Sequence, residues 1–181
     1  MKKKVFLLLF LTFIFNSFSQ TNNKYYKEIE LSLVKNHYSE YKIKVPDNWF
    51  SYYTDPGMLA HSPNEFKGNI KPNALSASFI IHKKNYKRKN LKKSLKSFLR
   101  VHKSIYPGFK YKLLEAKHNL YGKYYIIKYG LNKENGIETV MACVFNWKQE
   151  NYVIFYSSIE SGFDKYLKDV IEMISSFEII E

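Results

Sequence analysis

The sequence predicts an α+β fold, an antiparallel β-sheet meander flanked by two amphipathic helices, and three observations predict it. Several segments alternate apolar and polar residues with period two, as a strand with one dry face does. Two segments carry apolar residues at i, i+4, i+7 and i+8, with His102 or Ile174 at i+11, which is one stripe of a helix. The strand-like segments of the second half are separated by short turn signals, which join antiparallel neighbours. The chain has 181 residues, 45% hydrophobic and 18% aromatic, enough for one ordinary core. No repeat of 20 to 50 residues and no linker-like shift in composition divides it, so a single domain is expected.

The elements follow in order. Ile29, Leu31 and Leu33 alternate with Glu28, Glu30 and Ser32, and after a break at Asn36-His37 the alternation resumes with Tyr41, Ile43 and Val45 against Lys42 and Lys44. The pair reads as an antiparallel hairpin. Pro46 lacks an N–H and holds Val45 extended, so it ends the ladder, and Asp47-Asn48 turns the chain. Trp49 then folds back over the sheet edge as a structural corner, the commoner role of a large aromatic at a strand end, with a ligand platform as the alternative. Segment 50–75 holds Pro56-Gly57, Pro63, Gly68 and Pro72 without periodicity and reads as a long surface loop with one short helical turn; long loops in compact domains are often functional. Segment 76–82, SASFIIH, is the third strand.

Asn90 offers an N-cap to a helix whose stripe is Leu91, Leu95, Phe98, Leu99 and His102. The same spacing recurs as Phe163, Leu167, Val170, Ile171 and Ile174, behind Ser161-Gly162. Between the helices lie strands at 111–118, 124–131, 137–147 and 152–158, with turns at Tyr121-Gly122, Asn135-Gly136 and Gln149-Glu150-Asn151. Asn135-Gly136 is the strongest hairpin signal in the chain. In 137–147 both alternating sets are largely apolar: Ile137, Met141, Cys143, Phe145 and Trp147 against Val140, Ala142 and Val144. That strand is expected to be central and buried on both faces. The closing SFEII is a short strand.

This order of elements, with Val45-Pro46-Asp47-Asn48-Trp49 after the first hairpin and Ser176-Phe177 before the last strand, resembles the PsbP-like superfamily over residues 28–181. That fold is shared by the extrinsic photosystem protein, a Ran-binding nuclear import factor and DcrB-type periplasmic proteins. The resemblance implies an α/β/α sandwich and a binding or assembly module, not an enzyme; neither motif is catalytic, and fold alone supplies no ligand.

The amino terminus reads as a secretory signal peptide, residues 1–19. Lys2, Lys3 and Lys4 precede an apolar run at 5–15, too short to span a bilayer, and Ser17 and Ser19 suit a peptidase cutting before Gln20. The expected product is one domain, 20–181, periplasmic or secreted. No cysteine follows the apolar run, so lipid anchoring at the cut is not expected. Cys143, the sole cysteine, can form no intrachain disulfide, so burial must supply the stability.

Chemistry is sparse. No two of His37, His61, His82, His102 and His118 stand at a short metal-binding spacing, and His102 on the helix stripe reads as a boundary histidine. Cys143 in a central strand reads as a small buried hydrophobe. No nucleophile elbow, phosphate loop or dinucleotide glycine pattern occurs among seven glycines. No catalytic, metal or cofactor residue is therefore assigned. Glu28 and Glu30 share a solvent face; Asp55, His61 and Glu65 leave open a small secreted hydrolase with its site in 50–75. A carrier of a small hydrophobic ligand, held between sheet and helix, is a further alternative.

Charge stands out. Segment 83–103 holds ten basic residues and no acid. Without the three signal lysines the chain has 26 basic and 16 acidic residues, net +10, so this segment alone equals the excess. The candidate interaction residues are Lys87, Arg88, Lys89, Lys92, Lys93, Lys96, Arg100 and Lys103, those on the helix lying off its apolar stripe. One reading is a solvated lysine-rich face. The other is an anion-seeking surface that docks, with the 50–75 loop, on an envelope protein or peripherally on an anionic membrane, where each lysine contributes about 1 kcal/mol. Nucleic acid suits the charge, but export and the lack of any RNA- or DNA-binding motif argue against it.

Overall fold

A computed structural model describes residues 26–30, 41–54, 58–67, 77–84, 90–133 and 136–180. It has ten strands and two helices in these segments: β1 (Tyr26–Glu30), β2 (Tyr41–Pro46), β3 (Trp49–Thr54), β4 (Met58–Pro63), β5 (Ser78–Lys84), α1 (Leu91–Ile105), β6 (Lys112–His118), β7 (Gly122–Lys133), β8 (Gly136–Trp147), β9 (Glu150–Ile159), α2 (Glu160–Ser176) and β10 (Glu178–Ile179). Seven strands form one antiparallel sheet in the order β3-β4-β5-β9-β8-β7-β6. A second sheet, β1-β2-β10, lies on its α2 side. The α+β class and the meander of β6 to β9 are as the sequence reads.

The large sheet is dry on both faces because its central strands are apolar in both alternating sets. Met141, Cys143 and Phe145 of β8 pack in one cluster with Tyr41, Ile43 and Val45 of β2 and Phe163, Tyr166, Val170 and Met173 of α2. Val140, Ala142 and Val144 pack in another with Phe98 of α1 and Ile127 and Tyr129 of β7. The result is three layers: α1, the seven-stranded sheet, then α2 with the small sheet. Each fully buried Ile or Val contributes roughly 1.5–3 kcal/mol.

The first hairpin is present in β1 and β2, with Ile29 opposite Ile43; Leu31, Leu33 and the break at Asn36-His37 lie outside the described residues, as does the signal segment. Asp47 and Asn48 make the expected turn, and this turn carries the chain from the small sheet into the large one. Trp49 is a structural corner: it is fully buried, its indole N–H donates to Asp169 Oδ2 at 3.0 Å, and its ring meets Tyr166 edge-on.

The long loop at 50–75 is corrected. Its first part is the β3–β4 hairpin, paired from Trp49 opposite Pro63 to Thr54 opposite Met58. The periodicity failed there because polar residues occupy dry positions. His61 and Ser62 are buried, His61 Nδ1 bonding Ser51 Oγ at 2.9 Å and Ser62 Oγ donating to the Ala77 carbonyl at 2.6 Å. The expected helical turn is a single 3-10 turn at Asn64–Phe66; residues 68–76 lie outside the described ones. Three smaller corrections follow from backbone geometry. The third strand runs Ser78–Lys84, displaced towards the carboxyl end. The β8–β9 turn is Lys148-Gln149, both at positive φ (47° and 67°), with Glu150 already paired to Trp147. Helix α2 starts at Glu160, so Ser161 and Gly162 lie inside it.

Candidate functional site

Helix α1 begins where the sequence places it. Asn90 is the N-cap, its Oδ1 accepting from Lys93 N at 3.0 Å, which satisfies one of the free donors of the first turn. One side of the helix is consumed by the core: Phe98 is buried, and Leu91, Leu95 and Leu99 pack against the same cluster. At its start, Ser94 donates to Asn151 of β9, and Asn146 Nδ2 donates to Asn151 Oδ1 at 3.1 Å. Near its end, His102 is half-buried, its Nδ1 bonding the Phe98 carbonyl at 3.0 Å and its ring stacked on Phe98. It is a boundary histidine within an aromatic cluster.

The other side of α1 is cationic and wet. Lys92, Lys93, Lys96, Arg100 and Lys103 are all exposed and share one flank, since their spacing winds them around the side opposite Phe98. Among the described residues no carboxylate bridges any of the five; the ion pairs present join Lys123 to Glu115, Lys133 to Glu138 and Lys165 to Glu65. Lys87, Arg88 and Lys89 lie outside the described residues. A flank with no described acid bridging it keeps its charge for partners, unlike an internally paired surface.

Of the residues that could have built a hydrolytic site, the two described ones, His61 and Glu65, do not converge. Asp55 lies outside the described residues. His61 faces the core beside Phe79, whereas Glu65 sits on the surface, bonded to Lys165 Nζ at 2.8 and 3.0 Å and to the Tyr166 hydroxyl. The Lys165 bond, then that of Tyr166, holds the Glu65 carboxyl below its ordinary pKa; it is a clamp between the 3-10 turn and α2, not a proton donor. Cys143 is fully buried, and burial pushes its thiol pKa far up, so it is no thiolate nucleophile. Among the described residues no group of three His, Cys, Asp or Glu could hold a metal. No described helix is long and apolar enough to cross a membrane.

Sequence reasoning missed a second feature on α1. Val101, Ile105 and Tyr106 are exposed at its carboxyl end, next to a groove of about 430 Å³ between turn 106–110 and segment 130–133 of β7. The available signal was that Val101 and Ile105, three and seven residues after Phe98, carry its side of the helix on to the last turn.

Neither a scan against protein-family models nor a search of curated proteins gives a match. Solved structures do match in fold. A cyanobacterial PsbP from Synechocystis is similar at 15% identity and TM-score 0.53, covering 90% of this chain and 98% of that one. LpqN of Mycobacterium tuberculosis, described as involved in cell envelope biogenesis, is similar at 13% identity and TM-score 0.53, covering 88% and 94%. A structure from Bacteroides thetaiotaomicron matches at 12% identity and TM-score 0.51 over 78% of this chain, which spans 45% of its length. The chain has a PsbP-like fold.

Proposed function

We propose that this chain is an exported, non-enzymatic binding module. Residues 1–19 are removed as a signal peptide, and 20–181 form one PsbP-like domain that docks on an anionic envelope surface through the cationic flank of α1. One observation carries the reading: Lys92, Lys93, Lys96, Arg100 and Lys103 are exposed together on α1 with no bridging acid among the described residues, while Leu91, Leu95, Phe98 and Leu99 of the same helix pack into the core. The kinship in fold with an envelope-biogenesis protein is consistent with it. The scattered positions of His61, Glu65 and Cys143 favour no reaction. The space between α1 and the sheet is filled by Leu95, Phe98 and Leu99, so a ligand carrier gains no support.

Each lysine near an anionic bilayer contributes about 1 kcal/mol, so changing all five cations to Gln lowers affinity for phosphatidylglycerol-containing vesicles by at least roughly tenfold. Co-sedimentation reads this directly. Binding that is unchanged in the variant contradicts the proposal.

A further inference from the structure

Of eight large apolar side chains exposed among the described residues, Tyr53, Leu113, Leu114 and Leu120 lie apart, and the other four stand towards one end of the molecule. Val101 is 44%, Ile105 58% and Tyr106 36% exposed, and all three sit in the last turn and cap of α1. The turn that follows, with Gly108 at φ +74°, brings Phe109 down onto Tyr129 at 5.0 Å between ring centres. The groove against β7 opens there, with Lys110 and Lys133 in its lining. The β7–β8 register sets Ile137, itself 47% exposed, opposite Asn132, at this same end of the sheet. These apolar tips thus share one end of the molecule with Arg100, Lys103, Lys110 and Lys133. Among the described residues the carboxylate beside these cations is Glu138, bridged to Lys133 at 3.6 Å; Glu134, next to Lys133 in the chain, lies outside the described residues.

We infer that this end of the molecule, led by Ile105 and Tyr106, enters the interfacial layer of an anionic phospholipid bilayer, with Arg100, Lys103 and Lys110 against the phosphates. The inference rests on the anionic-surface reading above and adds which part touches and how deep. A purely acidic peptide would satisfy the cations but leave the protruding aliphatic tips in water. A bilayer interface satisfies both, because aliphatic side chains reach the acyl boundary while Tyr and Lys stay at headgroup level. The docking is therefore end-on. Lys92 and Lys93 begin the helix, about 16 Å along its axis from Lys103. That is twice the Debye length of about 8 Å at physiological salt, so within the flank they steer the approach while Arg100 and Lys103 meet the phosphates.

The test uses residues 20–181, which contain every described element, in a Cys143→Ala background with an environment-sensitive NBD dye on Ile105→Cys or Lys93→Cys. On vesicles of phosphatidylglycerol and phosphatidylcholine, the dye at 105 brightens and shifts to shorter wavelength while the dye at 93 does not change. In parallel, unlabelled Ile105→Asp loses at least roughly tenfold in vesicle affinity, whereas Lys117→Gln with Lys148→Gln, exposed at the opposite end of the sheet, loses less than about threefold. Ile105 is exposed, so the aspartate leaves the far-ultraviolet circular dichroism unchanged. Vesicle binding with equal response at 93 and 105, or with full affinity in Ile105→Asp, overturns the end-on insertion and leaves the charge reading standing. Failure of the unsubstituted chain to sediment with these vesicles at low salt overturns both.

Discussion

Trp49 donates its indole N–H across 3.0 Å to Asp169, a residue of α2 120 positions away, and both side chains are buried. The bond ties the first strand of the large sheet to the helix that covers it. Trp49→Phe keeps most of the ring but takes a donor from a buried carboxylate, an expected loss of about 1–3 kcal/mol in urea unfolding. An unchanged midpoint would show that the bond adds nothing. His118 is a second latch. Leu120 N donates to its Nδ1 at 3.2 Å, so its Nε2 carries the proton and donates to the Ile174 carbonyl at 3.0 Å. Burial lowers its pKa, opposed by the Ile174 bond. The unfolded chain therefore takes up the proton first: stability is fully present above about pH 6.5 and falls as pH drops from there towards the lower folded value. His118→Gln is expected to flatten this part of the melting-temperature profile between about pH 5 and 7, and parallel profiles of the two proteins would refute the latch.

At the scale of elements, α1 depends on a cap and the β8–β9 hairpin on a turn. Asn90→Ala is expected to cost about 1 kcal/mol, read as faster amide exchange in the first turn of α1 together with a lower urea midpoint. Lys148 and Gln149 occupy a two-residue turn at positive φ, where Asn-Gly fits without strain. Replacing them by Asn and Gly is expected to raise stability by roughly 1 kcal/mol; a lower midpoint would contradict the turn geometry. These two sites also show what could be read before any coordinates. The cap was legible because Asn90 stands immediately before a clean apolar stripe. The turn was misplaced by a residue because nothing in Lys148-Gln149 advertises positive φ. The β3–β4 hairpin was missed for a related reason, since His61 and Ser62 occupy positions that alternation reserves for apolar residues, and their hydrogen bonds to Ser51 and the Ala77 carbonyl are invisible in the chain. The cationic side of α1 was legible because charge and helical period are both local. The apolar end was not, because whether Val101 and Ile105 are covered depends on where the sheet stops.

The whole molecule is a sheet with two dry faces, and the two helices that dry them are not equivalent. Helix α2 is shared with the small sheet: Tyr41 and Phe177 pack together, β10 pairs with β2, and Lys165 is held by Glu65. Helix α1 spans β8 and its neighbours alone and turns its charge outward. That asymmetry is why docking is assigned to α1, and it makes ionic strength the decisive variable. The most direct measurement is sedimentation of residues 20–181 with phosphatidylglycerol-containing and with pure phosphatidylcholine vesicles, from about 0.01 to about 1 M salt, over which the Debye length falls from about 30 to about 3 Å. The account predicts binding to the anionic vesicles alone, lost steeply as salt rises. Equal binding to both lipids, or binding indifferent to salt, would contradict it.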